Sequence, residues 1–243
     1  MHPEITFDVA ADVADDTAGL RLARRGSTFT VLADGVPRVE LVDDTEFPVD
    51  ESADGHGMRA RIVDQDDPID VVAPVSATLA RSLLAEDAWM YWLRDQLTVT
   101  GPSPLAPGRW RLRMGPLPLL GWRSPHERPA ALRSALVPTP EGRFVHGESL
   151  RPAIVPLHRL PGRHSAAVLT HRSLLRDHRL PPVLVWHLPG IETYLVLDGH
   201  TRLVAALAAD AVPAFATLTA LPSGTGETDG TGETIDGAGE TQG

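Results

Sequence analysis

Five consecutive residues, Asp198-Gly199-His200-Thr201-Arg202, combine groups that can bind or act on an anion. They follow the apolar run 194–197 and precede the helix-forming run 203–209, so the pattern predicts a strand, a tight glycine turn and a helix start. A helix N-terminus presents free backbone N–H groups and the positive end of the helix dipole, and phosphate is the anion that commonly binds there. The segment therefore predicts a phosphate-binding turn.

The side chains of this segment offer distinct chemistry. Gly199 lets the backbone approach a ligand closely, because it carries no Cβ. His200 and Arg202 provide donors that suit phosphate oxygens. Asp198 stands at the carboxyl end of the predicted strand, where a carboxylate can take a proton or hold a metal ion.

The stretch 194–209 resembles the signature of the ParB/sulfiredoxin superfamily, closest to its Asp-Gly-His-His-Arg variant. Four further segments resemble the first strand, the following helix, the next strand and the closing strand of that family, namely residues 154–160, 165–178, 180–185 and 211–216. The resemblance covers roughly residues 150–220. It implies the order strand–helix–strand–strand–helix–strand for this part of the chain.

Relatives that phosphorylate a free amino acid or another small hydroxyl compound use this run to hold nucleotide phosphates and to supply an acid near the acceptor. Asp198, Gly199, His200 and Arg202 match the run, so the resemblance implies a nucleoside triphosphate with Mg²⁺ as the ligand, with Asp198 as a possible Mg²⁺ ligand. Thr201 replaces the second histidine. Its hydroxyl can still face a phosphate, but it cannot supply an imidazole.

Those kinases also carry a base glutamate shortly after the first strand, where this chain has the acid-free segment 161–165. His164 can serve as a base in its place. Arg163 can neutralise charge across the cleft.

Three functions follow from the resemblance and stay open. The first is an ATP-dependent phosphotransferase or nucleotide hydrolase, in which Asp198 and His200 are catalytic and Gly199, Thr201 and Arg202 hold phosphate. The second is a nucleotide sensor without turnover, which the missing glutamate and the changed histidine favour. The third is a ParB-like nuclease. A chromosome-partitioning protein is disfavoured, because only Gly199 and Arg202 match that branch.

Composition excludes several classes of chemistry. The chain has no cysteine, which removes disulfides, thiolate zinc sites and a cysteine nucleophile, and with them sulfiredoxin chemistry. All 22 basic residues are arginine, which removes a P-loop lysine and any Schiff base with pyridoxal phosphate. Lysine-free, arginine-rich composition indicates a GC-rich bacterial genome. No long apolar run predicts a membrane span, no secretory signal is visible, and we expect a cytoplasmic protein.

The net charge of −10 is unevenly distributed. Residues 1–70 carry 17 acidic residues and 6 arginines, whereas residues 81–180 carry 15 arginines and 7 acidic residues. Overall acidity argues against strong non-specific DNA binding. We therefore prefer the interpretation that the acidic N-terminal part and the basic middle attract each other within the protein. Binding of an anionic partner by the basic block stays an alternative.

The remaining patterns predict an α/β protein of the α+β kind. Alternating apolar residues predict strands at 27–32, 38–42, 58–63 and 109–114, with a turn at 33–37 between the first two. A 3.6-residue period predicts one helix at 76–96, which Ser76 can cap and whose apolar face includes Tyr91. We expect a mixed α+β region at 1–120 that begins with a short helix or arm, and a proline-rich connection at 121–149. A ParB/sulfiredoxin-like domain at 150–221 and a disordered polar tail at 222–243 complete the prediction.

Two other clusters carry weaker functional hypotheses. Arg109, Arg111 and Arg113 surround Trp110, which is a composition found in nucleic-acid patches. On a strand, however, the three arginines share one face and the tryptophan faces the other, so we prefer a solvated strand over a tryptophan-containing core. The histidines at 164, 171 and 178 recur every seven residues, about 10 Å apart on a helix, which is too far to share one metal ion.

Overall fold

The structure is a computed structural model, and it describes residues 2–10, 19–43, 58–63, 71–83, 85–98, 103–118, 123–137, 145–146 and 153–222. This part of the chain contains both helices and two β-sheets, which confirms the α+β class. The strands are β1 (Glu4–Val9), β2 (Leu20–Arg25), β3 (Thr28–Ala33), β4 (Val36–Asp43), β5 (Met58–Ile62), β6 (Gly108–Gly115), β7 (Val145–His146), β8 (Ala153–Pro156), β9 (Val183–Leu188), β10 (Thr193–Asp198) and β11 (Phe215–Leu221). The helices are α1 (Ala77–Ser82), α2 (Glu86–Thr98), α3 (Arg128–Ala135), α4 (Ala166–Arg176) and α5 (His200–Ala208).

A six-stranded mixed sheet has the order β1-β6-β11-β9-β10-β8. The pairs β8–β10 and β9–β11 are parallel, and the other neighbours are antiparallel. Parallel neighbours need crossover connections, which α4 and α5 supply. The predicted order strand–helix–strand–strand–helix–strand is therefore present from β8 to β11.

A second sheet of five antiparallel strands has the order β2-β3-β4-β5-β7. Its β3–β4 hairpin turns at Asp34 and Gly35, which both have positive φ, at 50° and 76°. Two consecutive positive φ values match the right-handed twist of the flanking strands, and the Asp-Gly pair is a favoured sequence for such turns. The structure confirms the two strands and the turn that the sequence predicts here.

The two sheets share one apolar core. The smaller sheet contributes Val31 and Leu41, the larger sheet contributes Trp110 and Trp186, and α2 adds Leu93. The two tryptophan rings lie 5.6 Å apart between centroids. Strands from both sides of residue 120 therefore meet in one sheet and one core.

A second apolar cluster lies on the opposite face of the six-stranded sheet. It packs Leu132 of α3 and Leu203 of α5 on Val183, Val185 and Phe215. These helices cover the sheet only in part: on the rest of this face Arg109 and Arg113 of β6 are exposed and Arg111 is half-buried. Trp110 points to the shared core, as the alternating pattern of β6 predicts.

The predicted helix at 76–96 is two helices, α1 and α2. Ser76 caps α1 as expected, since its hydroxyl accepts from the Leu79 N–H at 3.1 Å. Leu83 then leaves the helical conformation, with ψ at 87°, and α2 restarts with an acidic first turn that suits the positive end of the helix dipole. The restart changes the helical phase, so Tyr91, expected on the apolar face, is 48% exposed.

Two further segments differ from the sequence predictions. Residues 4–9 form strand β1 and pair with β6, where Phe7 lies opposite Trp110, so this part of the expected N-terminal helix or arm is a strand. Residues 11–18 of that expectation lie outside the described residues. Helix α3 lies within the stretch 121–149, which was expected to be a proline-rich connection. The helix tolerates Pro129 because this residue stands in the first turn, where no intrahelical N–H bond is lost. The tail prediction from residue 223 onward lies outside the described residues.

Within the described ranges, no helix is long and apolar enough to cross a membrane.

Candidate phosphate site at the β10–α5 turn

The predicted strand, glycine turn and helix start are present at residues 193–208. Gly199 joins β10 to α5 with a left-handed φ of 91°. The first helical bond of α5 runs from the Leu203 N–H to the Gly199 carbonyl at 2.8 Å. The N–H groups before it, from His200 to Arg202, stand in the first helical turn, where an α-helix offers them no acceptor.

Gly199 is required for a second reason besides its φ. A Cβ at this position would lie 2.7 Å from Nε and 2.8 Å from Nη2 of Arg202. The guanidinium therefore packs directly over the glycine. Any side chain at position 199 would displace it.

Arg202 and Asp198 form an ion pair across one turn. Nη2 of Arg202 donates to Oδ2 of Asp198. The arginine is buried at 5% exposure, whereas the aspartate side chain is 32% exposed. Nε of Arg202 is buried without a hydrogen-bond partner among the described residues. Buried N–H groups nearly always have a partner in native proteins, so this atom points to an acceptor supplied by a ligand or water.

His200 is held by the segment that follows β8. The His158 backbone N–H donates to Nε2 of His200 at 3.2 Å, and the two imidazole rings lie 5.0 Å apart between centroids. Because Nε2 accepts this bond, the neutral ring carries its proton on Nδ1. Burial, with the nearby His158 and Arg202, lowers the pKa of His200 to about 3. His200 is therefore an uncharged donor at neutral pH.

A cavity of about 260 Å³ opens at the turn. The turn segment 198–202 forms one wall, and His158 and His171 form another. The stretch Val71–Val75, just before α1, closes it with apolar side chains. Asp198 is the only carboxylate among the described residues that line this cavity.

The structure does not bring every predicted site residue to this cavity. Arg163 and His164 lie in a separate groove of about 480 Å³, which also contains Arg133, Arg172 and the opposite side of α5. Nε of Arg163 donates to Nε2 of His164 at 2.9 Å. The segment 198–202 lines the turn cavity, whereas Arg163, which the sequence analysis placed with it, lines the other groove.

Sequence reasoning missed His158 and His171 as cavity residues. His158 reaches the turn because β8 and β10 are parallel neighbours, and the Leu157 N–H extends their pairing by donating to the Val196 carbonyl at 3.1 Å. The carboxyl ends of parallel strands meet at one edge of a sheet, where ligands commonly bind. The parallel pairing, had it been known, would have identified His158.

The residues present suit a Mg²⁺ ion that arrives with a nucleotide better than a metal ion held by the protein alone. Within the described residues, no group of three or more histidine and carboxylate side chains can hold a metal ion. Magnesium in nucleotide sites takes one or two carboxylates and fills its other positions with phosphate oxygens and waters. Asp198 can supply one such carboxylate.

Comparison of the chain with protein-family models, with curated proteins and with solved structures finds no match in any of the three. Indications of function therefore come from the geometry of the β10–α5 turn and from the motif it carries.

Proposed function

We propose that this chain binds a phosphorylated small molecule, with a nucleotide as the first candidate, through a ParB/sulfiredoxin-like domain. The observation that carries the proposal is the β10–α5 turn, where a left-handed glycine sets the start of α5 at the wall of a 260 Å³ cavity. A phosphate there would accept from the first-turn N–H groups and from the Thr201 hydroxyl. The unpartnered Nε of Arg202 adds a charged donor close to the same place.

The size of the cavity supports a ligand that is only partly enclosed. Pockets that enclose a drug-sized ligand measure about 300–1,000 Å³. The turn cavity, at about 260 Å³, accommodates a phosphate group and its immediate neighbours. The rest of a nucleotide would extend out of it. A nucleotide ligand also favours the cytoplasm as the compartment of the protein.

Binding without turnover is the form of the proposal that the geometry supports best. Asp198 is already bound by Arg202, and Nε2 of His200 already accepts a backbone N–H. The pKa of about 3 keeps His200 from taking up a second ring proton at neutral pH. Catalysis of phosphoryl transfer needs a group that positions or deprotonates the acceptor, and both candidates are engaged.

Phosphotransfer is the second candidate, and one observation favours it. The Asp198 side chain keeps 32% exposure and lines the cavity, although its partner arginine is buried. In this scheme Asp198 accepts the proton of a small hydroxyl acceptor or binds the Mg²⁺ that accompanies ATP. Asp198→Asn should then abolish turnover and leave nucleotide affinity within a few-fold, because the amide keeps the shape but not the charge.

The first experiment is a thermal-shift panel of ATP, CTP, GTP and ADP, each with and without Mg²⁺. A ligand that binds only the native state raises the apparent melting temperature, by an amount equivalent to about 2.7 kcal/mol at a hundredfold excess over Kd. Calorimetry on the best ligand then tests Arg202→Gln, which should weaken binding at least tenfold, or about 1.4 kcal/mol. Incubation of the wild-type protein with ATP, Mg²⁺ and hydroxyl acceptors separates sensing from transfer.

Arg163→Gln is the matched control, since Arg163 lies in the separate groove. Affinity in this variant should stay within twofold of wild type. The double variant Arg202→Gln with Asp198→Asn removes both charges of the ion pair and should also bind weakly. A panel without any thermal shift, or equal losses in Arg163→Gln and Arg202→Gln, contradicts the proposal.

A further inference from the structure

A second cavity, of about 160 Å³, lies on the six-stranded sheet where the cover of α3 and α5 ends. Four polar residues cross its floor in one row, with Arg111 on β6, Thr219 on β11, His187 on β9 and Tyr194 on β10. The register pairs Arg111 with Thr219, Thr219 with His187, and His187 with Tyr194. Neighbouring strands lie about 4.8 Å apart, so the row spans about 14 Å on one face of the sheet.

A second row and a loop complete the cavity. Arg113 and Thr217 are cross-strand partners next to the first row, and both line the cavity. The stretch 114–118, which leaves the end of β6, forms a wall with Met114, Gly115, Pro116 and Pro118. The cavity shares no lining residue with the cavity at the β10–α5 turn.

The charge of this lining is positive. Arg111 and Arg113 contribute two guanidinium groups, and no carboxylate stands among the described residues that line the cavity. On β1, Arg111 faces the uncharged Thr6, and Arg113 faces Glu4. Neither arginine forms an ion pair within 4.0 Å in the described part of the chain. An anion is the ligand that such a lining attracts.

One buried polar atom in the cavity lacks a hydrogen-bond partner among the described residues, and a largely buried phenol stands beside it. The phenol is that of Tyr194, which is 4% exposed. Nε2 of His187 is buried without a hydrogen bond, and its nearest acid is Glu192, with Oε2 at 3.8 Å. The two rings stack with centroids 4.9 Å apart. Burial, followed by the negative charge of Glu192, raises the pKa of Tyr194, so its phenol is a donor at neutral pH.

We propose that this cavity binds a compact dianion, either a phosphate monoester or a dicarboxylate. The lining offers donors almost throughout, with two guanidinium groups, two threonine hydroxyls and a phenol. Guanidinium groups hold carboxylate and phosphate oxygens in bidentate pairs, which the planar fork of arginine favours. A volume of about 160 Å³ equals roughly five water molecules at about 30 Å³ each, which limits the ligand to a small ion.

The test is calorimetric titration of the full chain with inorganic phosphate, with malonate and with acetate. Phosphate or malonate should bind at least tenfold more tightly than acetate, and the tighter of the two identifies the source of the dianion. Arg111→Gln with Arg113→Gln should weaken that binding at least tenfold. Arg109→Gln is the matched control, because Arg109 is exposed on the same strand and face but outside the cavity.

Imidazole C–H signals in NMR spectra report which cavity is filled, since His187 lines this cavity and His171 lines the one at the turn. The His187 signal should move with the tighter dianion. Thr219→Val, which keeps the shape of the side chain, should weaken binding at least threefold and serves if the double arginine variant does not fold. The proposal is overturned by equal binding of acetate, by equal losses in Arg109→Gln, or by a His187 signal that stays in place.

Discussion

The side chains at the β10–α5 turn constrain one another closely. Arg202 packs over Gly199 and binds Asp198, and it also contributes to the lowered pKa of His200. The His158 backbone N–H then sets the tautomer of His200. A phosphate ligand would therefore meet an uncharged imidazole and an arginine whose charge Asp198 partly offsets.

The pKa of His200 predicts a pH dependence of stability. An ordinary histidine has a pKa near 6.5, so the unfolded chain takes up a proton there as the pH falls, whereas the folded chain does so only near 3. The unfolded state binds more protons between these values, so this residue makes the free energy of unfolding fall by up to about 1.4 kcal/mol per pH unit as the pH drops from about 6.5 toward 3.

Urea unfolding of wild type and His200→Gln between pH 7 and pH 4 measures this effect. The glutamine can still accept from the His158 N–H but does not titrate, so the variant should lose stability less steeply on acidification. His164→Gln replaces an exposed histidine and controls for the substitution itself. Equal slopes in wild type and His200→Gln would refute the assignment of a neutral His200 with a strongly lowered pKa.

At the scale of elements, the site depends on how one strand passes into one helix. The strand β10 is buried along its length, and α5 buries Leu203, Ala205 and Ala206 against the sheet. Both elements are therefore fixed by packing, and the turn between them has little freedom. This rigidity holds the first-turn N–H groups in place, so a ligand would not have to order them.

Gly199→Ala tests the turn directly. A left-handed conformation costs an L residue about 1–2 kcal/mol, and the new Cβ would also meet Nε of Arg202 at 2.7 Å. We expect the free energy of unfolding to fall by about 2 kcal/mol or more and phosphate affinity to fall with it. Chemical denaturation and calorimetry measure the two effects.

Gly190→Ala is the matched control, because Gly190 has a similar φ of 88° but a Cβ added there would meet nothing within 4 Å. The Gly190→Ala variant should lower the free energy of unfolding only by the cost of a left-handed alanine backbone, and it should leave ligand affinity unchanged. The excess loss in Gly199→Ala then reports the contact with Arg202. Equal losses in the two variants would show that the close approach to the guanidinium is energetically unimportant.

At the scale of the whole molecule, the two sheets are joined by their shared core. Leu41 of the five-stranded sheet and Leu195 of the six-stranded sheet are fully buried in the same cluster. The strands β1 and β6 also extend the sheet that carries the β10–α5 turn. The N-terminal half therefore helps to support the site, and Val71–Val75 contribute directly to its wall.

We expect the two sheets to unfold in one cooperative transition. Leu41→Ala and Leu195→Ala should each lower the free energy of unfolding by about 2–5 kcal/mol, since each leaves a cavity in the shared core. Tryptophan fluorescence and far-UV circular dichroism should give coincident transitions in both variants. Val36→Ala, at an exposed position, should change stability by less than about 0.5 kcal/mol. Two separate transitions, with Leu41→Ala moving only one, would contradict this prediction.

Much of the local structure could be predicted from the sequence alone. The strand, glycine turn and helix at residues 193–208, the hairpin at Asp34 and Gly35, and the Ser76 cap all depend on neighbours within a few residues. Hydrophobic period, positive φ and capping are properties of such short stretches. The residues of the β10–α5 turn were identifiable for the same reason.

Only the tertiary structure decided which distant residues meet at the turn. The parallel pairing of β8 with β10 brings His158 to His200, and the packing of α4 brings His171 to the cavity but leaves Arg163 in another groove. The pairing of β6 with β11 likewise joins the two halves of the chain in one sheet. An apolar alternation predicts that a strand has a buried face, but it does not specify its neighbours, because strand order and register depend on contacts between residues far apart in the chain.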